Sequence, residues 1–200
     1  MKKYGLVILA AGGSVRLGSP KQLLQYQQQS LLKNIVDTSL KISNAHVVVV
    51  VGAQKDIMLK ELHNHVVNIV VNENWLKGMS TSIKIGLAES IALNPLIEAC
   101  IFVVCDQPFI SLQLLQTLIS TYEHTEKGII ACVYKGITGT PVLFNKKYFD
   151  DFKLLENEEG AKKLLAINNN DLEIIPFIHG EIDIDTKEDY KKLIDAFRQI

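Results

Sequence analysis

At 200 residues, with 48% of them hydrophobic, the chain can fill one sizeable core without crosslinks, and a single globular domain over residues 1–200 is expected. Its 21 basic residues nearly balance 22 acidic ones, which argues against bulk attraction to nucleic acid or an anionic membrane and leaves any anion recognition to a local site. No apolar run approaches a membrane span, the first residues lead straight into a strand-like stretch, and Cys100, Cys105 and Cys132 lie in apolar surroundings without a CxxC pair, so a cytoplasmic protein with buried, reduced thiols is expected.

In chain order, runs rich in valine and isoleucine recur at YGLVILA (4–10), AHVVVVV (45–51), VVNIVV (66–71), ACIFVVC (99–105) and GIIACVY (128–134), and amphipathic stretches of helical length separate most of them. This is the strand–helix rhythm of a doubly wound parallel sheet covered on both faces. Helices are predicted to begin near Ser30, Asp56, Ser80 and Ser111, each with a side chain able to cap the first exposed amides. Beyond about residue 134 the rhythm loosens. GTPVLF (139–144) reads as a short strand, KKYFDDF (146–152) and GAKKLLA (160–166) as short helices, DLEIIPF (171–177) as a late strand and KEDYKKLIDAF (187–197) as a closing helix. An antiparallel or mixed addition to the sheet is expected there.

The first strand runs into LAAGGSVRLGSPKQLL (9–24). In open α/β sheets ligands sit in the crevice at the carboxyl ends of strands, which is where this loop falls. Gly12 and Gly13 carry no side chain, so backbone amides can approach a ligand closely and converge on an anion. Arg16 adds a guanidinium able to grip two phosphate oxygens, and Lys21 adds a compact point charge. The combination suits a polyphosphate. It is not a Walker A loop: Gly13 and Gly18 have the glycine spacing, but Ser19 and Pro20 stand where Lys and Ser or Thr should follow. The dinucleotide fingerprint GxGxxG is absent as well.

Downstream, GMSTSI (78–83) puts three consecutive small polar positions near a helix start, where free amides favour an anion or a polar ligand edge. CDQPFI (105–110) places Asp106 at the end of a strand facing the first loop, where a hard carboxylate together with phosphate oxygens suits Mg²⁺. In DIDTKEDY (183–190), strand alternation would turn Ile182 and Ile184 to one side and Asp183 and Asp185 to the other, so either acid could supply a second carboxylate. Trp75 and Met79 read as packing residues. The HNH letters at 63–65 lack a metal-binding scaffold and close an amphipathic helix, and no GxSxG nucleophile elbow is present.

The pattern LAAGxSxRxGxxKxLL, supplied here by Leu9, Ala10, Ala11, Gly12, Ser14, Arg16, Gly18, Lys21, Leu23 and Leu24, resembles the signature of nucleotidyltransferases of the molybdenum cofactor cytidylyltransferase type. The resemblance extends through NENWLKGMSTSIKIGL (72–87), CDQPFI, GTPVLF and DIDTKEDY. It implies a Rossmann-like three-layer α/β sandwich with a mostly parallel mixed sheet, of the nucleotide-diphospho-sugar transferase type. It also implies Mg²⁺-dependent transfer of CMP from CTP to the phosphate of molybdopterin or a similar cofactor, with release of pyrophosphate. On that resemblance Arg16 and Lys21 are the catalytic residues. Leu9, Ala10, Ala11, Gly12, Gly13, Gly78, Ser80, Ser82 and Asp106 join them in holding the nucleotide, and Asp106 and Asp185 hold the metal. A transient contact with a molybdoenzyme or its chaperone follows from the same resemblance. Three positions depart from it: Thr140 stands where relatives often carry histidine, and Glu158 and Lys162 replace Asp and Arg in a segment that usually reads GDxGAR. These departures touch acceptor recognition. Use of another nucleoside triphosphate, a sugar or alcohol phosphate acceptor, or a non-catalytic nucleotide-binding regulator are the alternative readings.

Overall fold

The computed structural model describes residues 2–157 and 159–197. Its first half contains β1 (Tyr4–Ala10), a small hairpin of β2 (Gln25–Tyr26) and β3 (Gln29–Ser30), α1 (Leu31–Leu40), β4 (Ala45–Val51), α2 (Lys55–Glu61), β5 (Asn68–Val71), α3 (Met79–Leu93) and β6 (Ala99–Val104). The second half contains α4 (Leu112–His124), β7 (Ile129–Tyr134), β8 (Ile137–Asn145), α5 (Lys162–Ile167), β9 (Leu172–Pro176) and α6 (Lys187–Phe197). The main sheet has seven strands in the order β5-β4-β1-β6-β8-β7-β9. β1 pairs in parallel with β4 and β6, and β4 pairs in parallel with β5. β8 runs antiparallel to both β6 and β7, and β9 returns to run parallel with β7. The mixed addition expected beyond residue 134 is therefore β8 and β9, with β8 the antiparallel member, while β7 keeps the direction of β6.

Strand alternation builds the two faces. Tyr4, Leu6, Ile8 and Ala10 of β1 join Val47, Val49 and Val51 of β4 in one apolar cluster, which Val36 of α1, Met58 of α2 and Leu115 and Leu118 of α4 complete. Val7 and Leu9 turn the other way, with Val48 and Val50, to meet Ile83 and Leu87 of α3 and Leu164 and Leu165 of α5. A sheet buried on both faces needs continuous apolar runs, which is why the strands read as Val- and Ile-rich stretches. Gly86 lets α3 lie close on the sheet: a Cβ there would fall 2.5 Å from Val7 Cγ1 and 2.8 Å from Val50 Cγ2.

Two helix starts match their sequence signals. Ser30 Oγ accepts from the Lys33 amide at 3.2 Å, and Ser111 Oγ accepts from the Leu114 amide at 3.2 Å, each cap contributing about 1 kcal/mol. The other two differ. Gln54, in left-handed conformation and without a side-chain cap, precedes α2, so Asp56 contributes its charge to the first turn rather than a cap. α3 starts at Met79 after Gly78, whose φ of 107° suits glycine; Ser80 therefore lies inside the helix and caps nothing. The segment 182–185 carries no regular secondary structure and is not a strand. No described helix is long and apolar enough to cross a membrane.

The three cysteines are free and buried, and burial pushes the thiols of Cys105 and Cys132 up to about 12. From β1 the chain winds out through β4 to β5, then crosses back to place β6 on the opposite side of β1. Connections that diverge in this way leave a crevice at the carboxyl ends of β1 and β6.

Candidate active site

The segment after β1 is a loop held in shape by its own polar groups. Ser14 adopts a left-handed conformation, with φ of 51°, and its carbonyl accepts from the amides of Leu17 and Gly18 at 3.1 and 3.2 Å. Its hydroxyl accepts from the Lys21 amide at 3.0 Å. Leu17, only 3% exposed, anchors the loop's far end, and a short 3-10 turn at Lys21–Leu23 follows Pro20. That turn sends neighbouring side chains in different directions: Lys21 reaches into the crevice, while Gln22 is buried beneath the loop.

Leu9, Ala10, Ala11, Gly12, Gly13, Lys21, Gly78, Ser82 and Asp106 line one cavity of about 360 Å³, which Gln22, Trp75, Leu76, Met79, Val104 and Cys105 complete. Trp75 stands close over the loop, 3.1 Å from where a Cβ on Gly13 would lie, so a larger residue there would push the indole back by a few tenths of an ångström. Ser82 is positioned from below by Asn72. The buried Asn72 amide donates to the hydroxyls of Thr81 and Ser82 at 2.8 and 2.9 Å, and its carbonyl oxygen accepts from the Asn74 amide at 2.9 Å.

Lys21 Nζ lies 2.5 Å from Asp106 Oδ2 and 3.0 Å from Asp185 Oδ1. Burial alone would lower the lysine pKa, but the Asp106 charge and the hydrogen bonds to both carboxylates outweigh it and hold the ammonium above its ordinary range. Asp185 also pairs with Arg16 at 2.7 Å. Two carboxylates distant in sequence thus converge beside the first loop. The Ile184 amide donates to the Asp106 carbonyl at 3.0 Å, and Ile184 is fully buried, so the 182–185 segment is fastened to the end of β6. Thr186 then opens α6 with a reciprocal cap: its amide donates to Asp189 Oδ2 at 3.0 Å, and its hydroxyl accepts from the Asp189 amide at 3.2 Å.

Asp106 also lines a second cavity of about 290 Å³, with Gln107, Tyr134, Gly139, Thr140, Lys162 and Asp183 among its walls. Gln107, 3% exposed, donates to the Gly180 carbonyl at 2.9 Å and accepts from the Thr140 hydroxyl at 3.1 Å. Asp183 is exposed as a residue, yet partial burial of its carboxyl, followed by the charges of Asp106 and Asp185, raises its pKa to about 6.

The donor set fits a hard divalent cation. Among the described residues no group of three or more His, Cys, Asp or Glu gathers as a self-sufficient metal cage, but two carboxylates meet on a single positive charge. Such a pair suits Mg²⁺ completed by phosphate oxygens and water.

The placement of Ser80, Arg16 and Met79 departs from the sequence reading. Ser80 is 1% exposed, lines neither cavity and donates its backbone amide to the Asn157 carbonyl at 3.2 Å, because α3 begins a residue earlier than its letters suggest. Arg16 does not line the first cavity; its side chain is 71% exposed at the rim. Met79, read as packing, is 45% exposed and borders both cavities. Glu158 lies outside the described residues. Gln22, Asn72 and Gln107 are not singled out by the sequence: each has a charged neighbour, Lys21, Glu73 and Asp106, so no local pattern marks them as buried.

The family model described as the MobA-like NTP transferase domain matches residues 6–173. Among curated proteins, nicotine blue oxidoreductase of Paenarthrobacter nicotinovorans is 31% identical over 68% of this chain, an alignment that spans only 65% of that relative's length. Molybdenum cofactor cytidylyltransferase of Escherichia coli K12 is 23% identical over the full length of both chains. Among solved structures, Rv0371c from Mycobacterium tuberculosis H37Rv superposes with a TM-score of 0.84 at 24% identity, covering 97% of this chain and 98% of that one. A manganese complex of the same mycobacterial protein gives a TM-score of 0.80 at 22% identity, covering 98% and 100%.

Proposed function

This chain belongs to the MobA-like NTP transferase family, and on that premise we propose that it is a Mg²⁺-dependent nucleotidyltransferase that moves CMP from CTP to the phosphate of molybdopterin or a similar cofactor in the cytoplasm. The observation that carries the reading is the meeting of Lys21, Asp106 and Asp185 at the edge of a glycine-lined cavity, at the sheet's switch point. The full-length likeness to a molybdenum cofactor cytidylyltransferase supports the choice of nucleotide and acceptor.

In this reading the glycine loop and Lys21 bind the triphosphate, Arg16 closes over its outer phosphates from the rim, and Asp106 and Asp185 hold Mg²⁺. The ion, when bound, offsets charge on the triphosphate oxygens. The acceptor enters the second cavity, and its phosphate oxygen attacks the α-phosphorus in line; the new P–O bond forms as the bond to the bridging oxygen breaks, and pyrophosphate leaves. An acceptor phosphate already ionised needs no general base. Lys21 stabilises the charge that grows during the transfer, from a position fixed before the reaction starts.

A thermal-shift panel of the four ribonucleoside triphosphates with Mg²⁺ tests the nucleotide, because a ligand bound to the folded state raises apparent stability by mass action. CTP is expected to give the largest shift. Equal shifts, or a larger one with GTP, overturn the assignment of the base. Release of pyrophosphate from the preferred triphosphate distinguishes turnover from a regulator that only binds.

A further inference from the structure

Gln22 follows Lys21 directly but points the other way. It is 1% exposed, and its side-chain amide donates to the carbonyl oxygens of Ala10 and Gly12, both at 2.9 Å. Its own carbonyl oxygen accepts from the Ser14 hydroxyl at 3.3 Å, and that hydroxyl accepts in turn from the Lys21 amide at 3.0 Å. One side chain therefore ties together the start, middle and end of the loop.

The electrostatic consequence is specific. Ala10 and Gly12 both line the cavity, and their carbonyl oxygens, turned to the buried Gln22 amide, carry partial negative charge within the same loop that would face a polyphosphate. Uncapped carbonyls there repel an anion and, with no partner in a low-dielectric wall, turn toward whatever donor they can reach. A primary amide is the neutral side chain with two N–H groups on one nitrogen, so it can cap both oxygens while its own oxygen takes the Ser14 hydroxyl. Glutamate has the same shape and no donor when ionised. Methionine has similar length and can neither donate nor carry charge.

We propose that Gln22 is a positioning residue for polyphosphate: by capping the carbonyl oxygens of Ala10 and Gly12 it keeps the loop able to accept the charged end of the nucleotide. This rests on the nucleotidyltransferase reading and assigns to that site a residue which itself touches no reacting atom.

The test compares ligands graded by charge. Wild type, Gln22→Glu and Gln22→Met are titrated, with Mg²⁺ present, with the preferred triphosphate, its monophosphate and its nucleoside, and melting temperatures are recorded in parallel. Affinity for the triphosphate is expected to fall at least about tenfold in both variants, the scale of leaving a hydrogen-bonding group unsatisfied. The loss should shrink through the monophosphate and become small for the nucleoside, with Gln22→Glu affected more than Gln22→Met. Equal loss for all three ligands overturns the proposal and makes Gln22 a general support of the fold. Unchanged triphosphate binding in Gln22→Met overturns it too, and this variant decides the matter if the glutamate variant does not fold. A wild type that binds none of the four triphosphates defeats the nucleotide reading itself, an outcome distinct from a bound triphosphate insensitive to Gln22.

Discussion

On the β1 side of Asp106 the cavity wall includes the loop from Leu9 through Gly13, which carries two adjacent glycines, with Trp75 packed against it and a single lysine reaching across. On the β8 side Tyr134, Thr140, Gln107, Lys162 and Asp183 bring polar side chains to the wall, and Thr140 is hydrogen-bonded to the buried glutamine. The first side has the construction that favours a ligand common to many proteins, because main-chain groups and glycine gaps can cradle phosphate whatever the remainder of the substrate is. The second has the construction that favours discrimination, because replacing one polar side chain changes which partner leaves a buried group unpaired. Asp106 belongs to both, and variants on either side of it can separate the two roles.

Asp106→Asn is expected to have the largest effect. It removes a charge shared by both cavities, and metal-dependent turnover should fall about a thousandfold or more, the upper range for loss of one well-placed electrostatic group. Circular dichroism and melting should still report a folded protein. Activity within about tenfold of wild type under limiting Mg²⁺ breaks the comparison at its centre.

Lys21→Ala should affect the first side alone. Turnover should drop by about a hundredfold to a thousandfold. The geometry adds a consequence that activity does not report. Without the ammonium, Asp106 loses its ion pair and Asp185 keeps only Arg16 at the rim, so Mg²⁺ or Mn²⁺ alone should raise the melting temperature of this variant more than that of wild type. If added cation shifts both proteins equally, the two carboxylates do not act as one cation-binding pair.

The contrast also explains what was legible in the sequence. The first side could be read because its components are adjacent in the chain and chemically unusual: clustered glycines, an arginine and a lysine after an apolar strand. Asp106 was legible as a polar residue ending an apolar run. The meeting of Asp185 with Asp106 followed from resemblance, and its physical cause, the backbone bond from Ile184 to Asp106, carries no letter code because any residue but proline can donate it. Ser80 misled because serine is a common cap, whereas Gly78 and its unusual backbone start the helix instead. Gln22 and Gln107 escaped for a shared reason. Each acts through backbone carbonyls, and the position of those carbonyls is settled only once β1, β6 and the 177–180 turn are assembled. The second cavity needs β8 to run antiparallel between β6 and β7, and a strand's direction in a mixed sheet is not a property of its own residues.

Thr140→Val is expected to have the smallest effect and sharpens the comparison most. The substitution keeps the β-branched shape in β8 and removes only the hydroxyl that donates to Gln107 Oε1 at 3.1 Å. Gln107 remains held through its other end by the Gly180 carbonyl, so the fold should tolerate the change. A single neutral hydrogen bond contributes about 1 kcal/mol net, so loss of positioning in the second cavity should raise KM for the acceptor about fivefold. Because Thr140 does not line the first cavity, affinity for the triphosphate measured without acceptor should stay unchanged. The expected signature is a shift in one substrate's KM alone. If triphosphate affinity falls by the same factor, the two cavities are mechanically one site and the division of labour drawn at Asp106 fails; if neither constant moves, the acceptor does not depend on the Thr140 wall.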